Sequence, residues 1–285
     1  MNDKKKEPLF HIVKRDALPW YQSVGIRAIA IVLALIVCAV VTMILTGTNP
    51  IQVFQSIIAG AFGSARKTWI TFQNIAILLL ISLALTPAFK MKFWNIGGEG
   101  QVLIGGLASA ACMICLAEKL PAALVVVCMI VTSIAAGAFW AFIPAFFKAK
   151  WNTNETLSTL MMNYIATQLV AFFTIVWEVP KGSGKIGIIN QNSNVGWLPQ
   201  AFGSKYLLSI LVAVLITVFM YIYLKYSKHG YEISVVGESE NTAKYVGIKV
   251  EKVIMRTMAL SGAVCGLVGL LLVGGINHTI KTTIA

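Results

Sequence analysis

Long apolar runs separated by short polar breaks organise this chain. Val24–Thr46, Ile70–Phe89, Gln101–Ala117, Ala122–Phe147, Leu157–Trp177, Tyr206–Leu224 and Met258–Ile276 each reach or approach the ~20 residues that a helix needs to cross a bilayer. A shorter run, Asn49–Phe62, carries Ile51, Phe54, Ile58, Ala61 and Phe62 at helical spacing with Gln52 and Gln55 among them. That pattern predicts an amphipathic helix on the membrane surface or tucked under the spans. The turn Glu118–Pro121 is short, so the third and fourth spans are expected to be antiparallel neighbours. The expectation is an all-α, polytopic membrane bundle of about seven spans, forming one domain over residues 1–285.

The longest polar break is Lys225–Arg256, within a segment 225–257 expected at the cytoplasmic face. Inside it, Ser239–Val246 predicts a short helix. Ser239 can cap its N-terminus, Glu240 sits at the positive end of the dipole, and Gly247 can take the left-handed position after its last turn. Eight residues make a peg of roughly 12 Å, too short to hold a fold but suited to being gripped by another protein. The second unusual break is Phe93–Gln101, where three glycines and a carboxylate interrupt the passage between spans. Unwound backbone at membrane depth survives where it is buried in protein or lines a wet cavity. The segment is therefore read as a broken or re-entrant helix whose Asn95, Gly97, Gly98, Glu99, Gly100 and Gln101 line or brace a pathway. An ordinary turn using glycine for positive φ is the competing reading. Gly262, Gly266, Gly269, Gly274 and Gly275 give the last span a small-residue face for close helix packing.

Composition agrees with a membrane protein: 58% hydrophobic residues, 12% charged, and a mean hydropathy of +0.79. A net charge of +12 raises nucleic-acid binding, but the cations gather in particular breaks. With residues 1–23 in the cytoplasm, only Arg66, Lys67, Lys119, Lys181, Lys185, Lys205 and Lys281 of the 23 Lys and Arg residues face outward, the bias that orients membrane proteins. The first run lacks a cleavage site and is read as an uncleaved span.

Catalytic signals are weak. Lys181–Lys185 imitates a phosphate loop but has Val179 where glycine is required and Ile186 where Ser or Thr is required, so a flexible external loop is expected. The five cysteines lie in apolar runs, and Cys112 and Cys115 have redox spacing without its context. His11, His229 and His278 are far apart and make no metal set. Asn154 and Asn277 match the glycan acceptor pattern only as chance would give. No acidic or basic residue lies deep in a span, Arg27 near the start of the first excepted, which argues against a proton relay. Energy for uphill movement would then come from a partner. A secondary transporter driven by an ion gradient is the alternative, and a non-transporting scaffold a third class.

Asn95-Ile96-Gly97-Gly98-Glu99-Gly100-Gln101 resembles the N-I-G-x-E-G-Q signature of ABC importer permease subunits of the simple-sugar, nucleoside and branched-chain amino acid group. Gly237–Ile248 and Leu260-Ser261-Gly262-Ala263 are similar to that group's G-x-N-x-x-A-A-x-Y-x-G-I and L-S-G-A. Asn154-Glu155-Thr156 with Met161-Met162-Asn163-Tyr164 resembles its N-E and M-x-N-Y. The likeness is nearest to the nucleoside branch, of guanosine or purine type. Ser239 and Thr242 depart from the usual Asn and Ala, and the chain is shorter than is typical of the group, so truncation is expected.

The resemblance implies a subunit with no catalytic site, cofactor or metal of its own, ATP and magnesium being held by a cytoplasmic ATPase. It implies ATPase coupling through Gly237, Glu238, Ser239, Ala243, Lys244, Tyr245 and Gly247, with Asn154 and Glu155 joining the structural motifs. The expected partners are that ATPase, a second permease subunit in a homo- or heterodimer, an extracytoplasmic substrate-binding lipoprotein and membrane lipid, without nucleic acid. The expected location is the bacterial plasma membrane.

Overall fold

Where the helices begin, end and touch is set largely by caps and glycines. The computed structural model describes residues 19–201 and 203–283; Lys4, Lys5, Lys6, Lys14 and Arg15, on which part of the orientation argument rests, lie outside them, as does His11. In chain order the helices are α1 (Trp20–Thr46), α2 (Pro50–Phe62), α3 (Ala65–Lys90), α4 (Gly98–Leu116), α5 (Ala122–Trp151), α6 (Glu155–Val176), α7 (Leu207–Tyr226), α8 (Lys228–Glu238), α9 (Glu240–Tyr245) and α10 (Val250–Leu270). A π-helical stretch, Leu271–Asn277, continues α10. Among the described residues the only strand-like feature is an isolated bridge between Ala201 and Ser204. Among the described residues seven helices are long and apolar enough to cross a membrane: α1, α3, α4, α5, α6, α7, and α10 with its continuation.

Helix contacts divide the chain into two compact units, residues through Lys67 and residues from Thr68 on. In the first, α1 ends at Gly47, whose φ of 64° turns the chain while its amide donates to the Met43 carbonyl. Asn49 then caps α2, its Oδ1 accepting the Ile51 amide at 2.9 Å, and Pro50 occupies the first turn, where its missing N–H costs nothing. No residue of α1 is buried, and a helix apolar all round is suited to lipid.

In the second unit α10 lies against both α5 and α4, and its glycines determine how closely. A Cβ on Gly266 would land on the Ser133 carbonyl oxygen of α5. One on Gly137 would meet the Gly262 carbonyl, one on Gly105 of α4 would meet Gly266, and one on Gly269 would meet the Val102 carbonyl. Backbones at that distance gain dispersion contacts that any side chain would prevent. The small-residue face expected on the last span is thus a seam shared by three helices.

The break between the second and third spans is smaller than expected. The backbone is irregular from Met91 to Gly97, and Gly98, Glu99, Gly100 and Gln101 already belong to α4. Lys92, at φ 59°, makes the turn, and the Phe93 amide returns to the Ala88 carbonyl at 2.9 Å. None of the three glycines has a positive φ. They are there for proximity: a Cβ at Gly98 would press on Leu85, and one at Gly100 would lie 2.8 Å from Asn163 Oδ1.

Lys181–Lys185 is exposed, and the residues that follow it fold back on the bundle. Ile186 and Ile189 are buried with Met113, Met129, Val273 and Ile280. Asn190 Nδ2 donates to the Met113 and Val195 carbonyls at 2.7 and 2.9 Å, and the Leu198 amide donates to the Gly274 carbonyl at 2.9 Å. Trp197 stacks on His278 at 3.8 Å between ring centroids. The turn Lys181–Lys185 is closed by Glu178, whose carboxylate accepts the Gly182 and Gly184 amides at 2.7 and 2.8 Å. Those backbone hydrogen bonds, Gly182 first, hold the carboxyl below its ordinary pKa, helped by nearby Lys181 against a small opposing effect of burial. Because the folded-state pKa is lowered, this closure is complete above the ordinary carboxylate value and is lost as pH falls through the lowered one. In an acid titration the Gly182 and Gly184 amide resonances should therefore move together at a midpoint below that of a free glutamate. Midpoints at the free-glutamate value would show that the carboxylate does not close the turn.

Candidate functional site

Two features meet at the end of the bundle that carries the Lys225–Arg256 segment. The first is a buried network of side-chain amides and hydroxyls. Asn95, 1% exposed, accepts from the Gly97 amide at 2.9 Å and from Gln101 Nε2 at 3.2 Å, and donates to Ser261 Oγ at 3.3 Å. From α6, Thr159 Oγ1 accepts the Ile96 amide at 3.3 Å. Asn163 both accepts the Gly100 amide at 2.9 Å and donates to the Ile96 carbonyl at 3.0 Å. These bonds satisfy backbone groups that the break in helix leaves open, as buried polar groups require. They also tie α4, α6 and α10 to the turn. Gln101 Oε1 is the exception, buried without a partner.

Asn95, Gly97, Gly100 and Gln101 therefore sit in or against this network, and Gly98 packs beside it. Glu99 does not join it; its side chain is exposed on the first turn of α4, where a carboxylate favours the helix dipole. Thr159, Asn163 and Ser261 are the members that sequence reasoning did not single out as site residues. The signal for two of them was present, since Thr159 and Asn163 stand four residues apart, on one face of α6.

The second feature is a groove of about 210 Å³ between the turn Met91–Phe93, Lys148 of α5, Glu155 of α6, residues Val236–Glu240 and Ile254 of α10. Asn154 caps α6, its Oδ1 accepting the Leu157 amide at 3.1 Å, which leaves Glu155 in the first turn to pair with Lys148 at 3.0 Å. Gly237 rests directly on the Lys90 carbonyl, so the α8–α9 corner is held against the end of α3. Residues from the 91–97 turn, from the ends of α5 and α6, and from the Lys225–Arg256 segment thus converge on one groove.

From its rim projects α9. Ser239 caps it, its Oγ accepting the Thr242 amide at 3.2 Å. At the other end Gly247, at φ 80°, lets its own amide reach the Lys244 carbonyl at 3.1 Å and the Ile248 amide reach the Ala243 carbonyl at 2.9 Å. This paired closure is a Schellman motif, with Ala243 and Ile248 packing into one apolar cluster beneath it. Ala243 is fully buried and Tyr245 is 92% exposed, so the helix is anchored on one side and bare on the other. The preceding helix α8 was not expected. It is capped by Ser227, whose Oγ accepts the Gly230 amide at 2.9 Å, and buries Ile233 and Val236. Among the described residues no group of three or more His, Cys, Asp or Glu side chains could hold a metal ion.

Residues 68–282, nearly the whole second unit, match the family described as branched-chain amino acid transport system / permease component. The chain belongs to that family. This permease is 33% identical over 244 residues to the guanosine ABC transporter permease protein NupP of Bacillus subtilis, a match covering 85% of the chain and 69% of NupP. It is 28% identical over 256 residues to the nucleoside ABC transporter permease protein NupB of Lactococcus lactis, covering 87% and 70%. The glucose ABC transporter permease protein TsgB13 of Haloferax volcanii is 26% identical over 282 residues, covering 95% and 73%. No solved structure matches. With seven apolar helices and this family membership, the permease is a multi-pass membrane transport component.

Proposed function

We propose that this permease forms the translocation pathway of an ATP-driven importer of nucleosides, and that α9 is the handle through which a cytoplasmic ATPase moves it. The observation that carries the handle is the pairing of a buried Ala243 with an almost fully exposed Tyr245 on a helix held at both ends. The substrate class rests on NupP and NupB, two nucleoside-transporting relatives by name; simple sugars stand second, on TsgB13. ATP and magnesium act on the ATPase, with a second permease subunit completing the pathway and a lipid-anchored receptor delivering substrate from the outer side. No cofactor belongs to this chain. The ATPase shifts access only in so far as it binds one orientation of the handle more tightly than the other.

The test is uptake of radiolabelled guanosine by cells expressing the permease with its transport partners, ATP and the ion gradient being depleted separately. Uptake should fall with ATP, ignore collapse of the gradient and resist excess ribose and leucine. Lys244→Glu and Tyr245→Ala should abolish most of it while leaving the permease at its normal membrane level. Undiminished uptake in both variants would sink the handle. Uptake that follows the ion gradient would replace the importer with a secondary transporter.

A further inference from the structure

At the other end of the handle, where Val246–Lys249 follow α9, lies a second groove of about 310 Å³ whose chemistry is different. Lys228, Lys249, Lys252 and Arg256 line it, with Glu232 its only carboxylate. Lys252 and Arg256 stand four residues apart on one face of α10, and Lys249 immediately precedes that helix. The next residue round the helix, Glu251, points elsewhere and is neutralised by Lys150 at 3.0 Å. Lys148 is likewise paired, with Glu155. None of the four groove cations has an ion-pair partner among the described residues. A general excess of cations on one side of a membrane accounts for their number but not for their gathering in one concavity.

Depth identifies what the groove faces. Arg256 lies two residues before Met258, where the continuous apolar run of this span begins, and the other wall starts directly below α7. Tyr226, at the end of α7, and Tyr231, in α8, are exposed, and tyrosines are enriched at membrane–water boundaries. Along α7, Phe219 stacks on Tyr223, and Val218, Phe219 and Ile222 are exposed and apolar. A ligand that satisfies the whole surface carries a phosphate at one end and an alkyl chain at the other. His229 behind the groove is bonded through Nδ1 to Tyr223 Oη at 2.6 Å and through Nε2 to Thr257 Oγ1 at 3.3 Å, which ties α7, α8 and α10 into one wall.

We propose that Lys228, Lys249, Lys252 and Arg256 form a binding site for the headgroup of an anionic phospholipid, held at the foot of α10 beside the handle. Basic pockets between membrane helices recognise such headgroups by charge and multiple phosphate contacts. The site stands independently of the transport reading, because it rests on charge and depth rather than on substrate.

Purified permease in a neutral detergent, without ATPase, would be titrated with phosphatidylglycerol and with phosphatidylcholine of the same acyl chains, and bound lipid counted by native mass spectrometry. Phosphatidylglycerol should bind preferentially, weaken with added salt, and lose about fivefold in affinity for each of Lys249→Gln, Lys252→Gln and Arg256→Gln. Lys119→Gln, the same charge change away from the groove, should leave binding unchanged, and gel filtration would confirm that every variant is folded. Equal binding of the two lipids, or an equal loss in Lys119→Gln, would overturn the proposal. So would full displacement by inorganic phosphate, which would assign the groove to a soluble anion. Absence of lipid preference would leave the groove to acidic residues of a protein partner.

Discussion

Replacing Gly266 with leucine will stop this permease from accumulating as a folded protein. Gly266 has no free direction: a Cβ there meets the Ser133 carbonyl, and the Gly105 side of α4 closes over its own Cα and carbonyl. Extra methylenes forced into a well-packed core typically cost about 1–3 kcal/mol when side chains can rotate away. Here the obstacle is backbone on two neighbouring helices, so whole helices must separate and lose the contacts of the seam. A loss beyond the usual mutational range is expected, a large part of the ~5–15 kcal/mol that holds a typical protein together. The measurement is yield and melting temperature of detergent-solubilised protein. Gly25→Leu supplies the control, since a Cβ on Gly25 in α1 meets nothing within 4 Å. If both variants behave alike, the seam does not hold the second unit together.

The seam also marks how far the pattern of residues can be read. Small residues on one helix face announce close packing, so Gly262, Gly266 and Gly269 were legible as a surface. Their partners were not, because Ser133, Gly137 and Gly105 present backbone, and a carbonyl has no sequence signature. The same limit hid the docking of the segment between α6 and α7, where Asn190 and Leu198 reach the carbonyls of Met113 and Gly274. Seven spans were visible because length and hydropathy are local properties. Their ends drifted where caps decide: α6 begins at Glu155 because Asn154 caps it, and α10 begins eight residues before its apolar run, on a charged surface turn. Glycine serves positive φ at Gly247, as expected, whereas at Gly97, Gly98 and Gly100 the competing reading of positive φ fails and a neighbouring side chain or helix occupies the space of a Cβ. One dihedral preference and one packing need produce the same letter.

The string around Asn95 shows the distinction most sharply, and it yields the second large effect. Asn95→Leu keeps nearly the same shape but removes both the acceptor for the Gly97 amide and Gln101 Nε2 and the donor to Ser261 Oγ. Each buried group left without a partner costs about 1–3 kcal/mol. Gln101 suffers most, because its Oε1 is already unpartnered and its Nε2 would become so. A loss of several kcal/mol is expected, read as a large drop in melting temperature and loss of uptake. Asn163→Leu should act on the same network from α6 by freeing the Gly100 amide and the Ile96 carbonyl. The double variant should then cost less than the sum of the two, as members of one hydrogen-bond network do. Glu99→Gln, in the middle of the same string but exposed, should leave stability within about 0.5 kcal/mol of the parent. Its effect on uptake, measured beside its stability, separates two roles for that carboxylate. Lost uptake in a stable protein would mean that Glu99 meets substrate or a partner from its exposed position, whereas a melting temperature lowered as far as in Asn95→Leu would show that the carboxylate supports the turn after all.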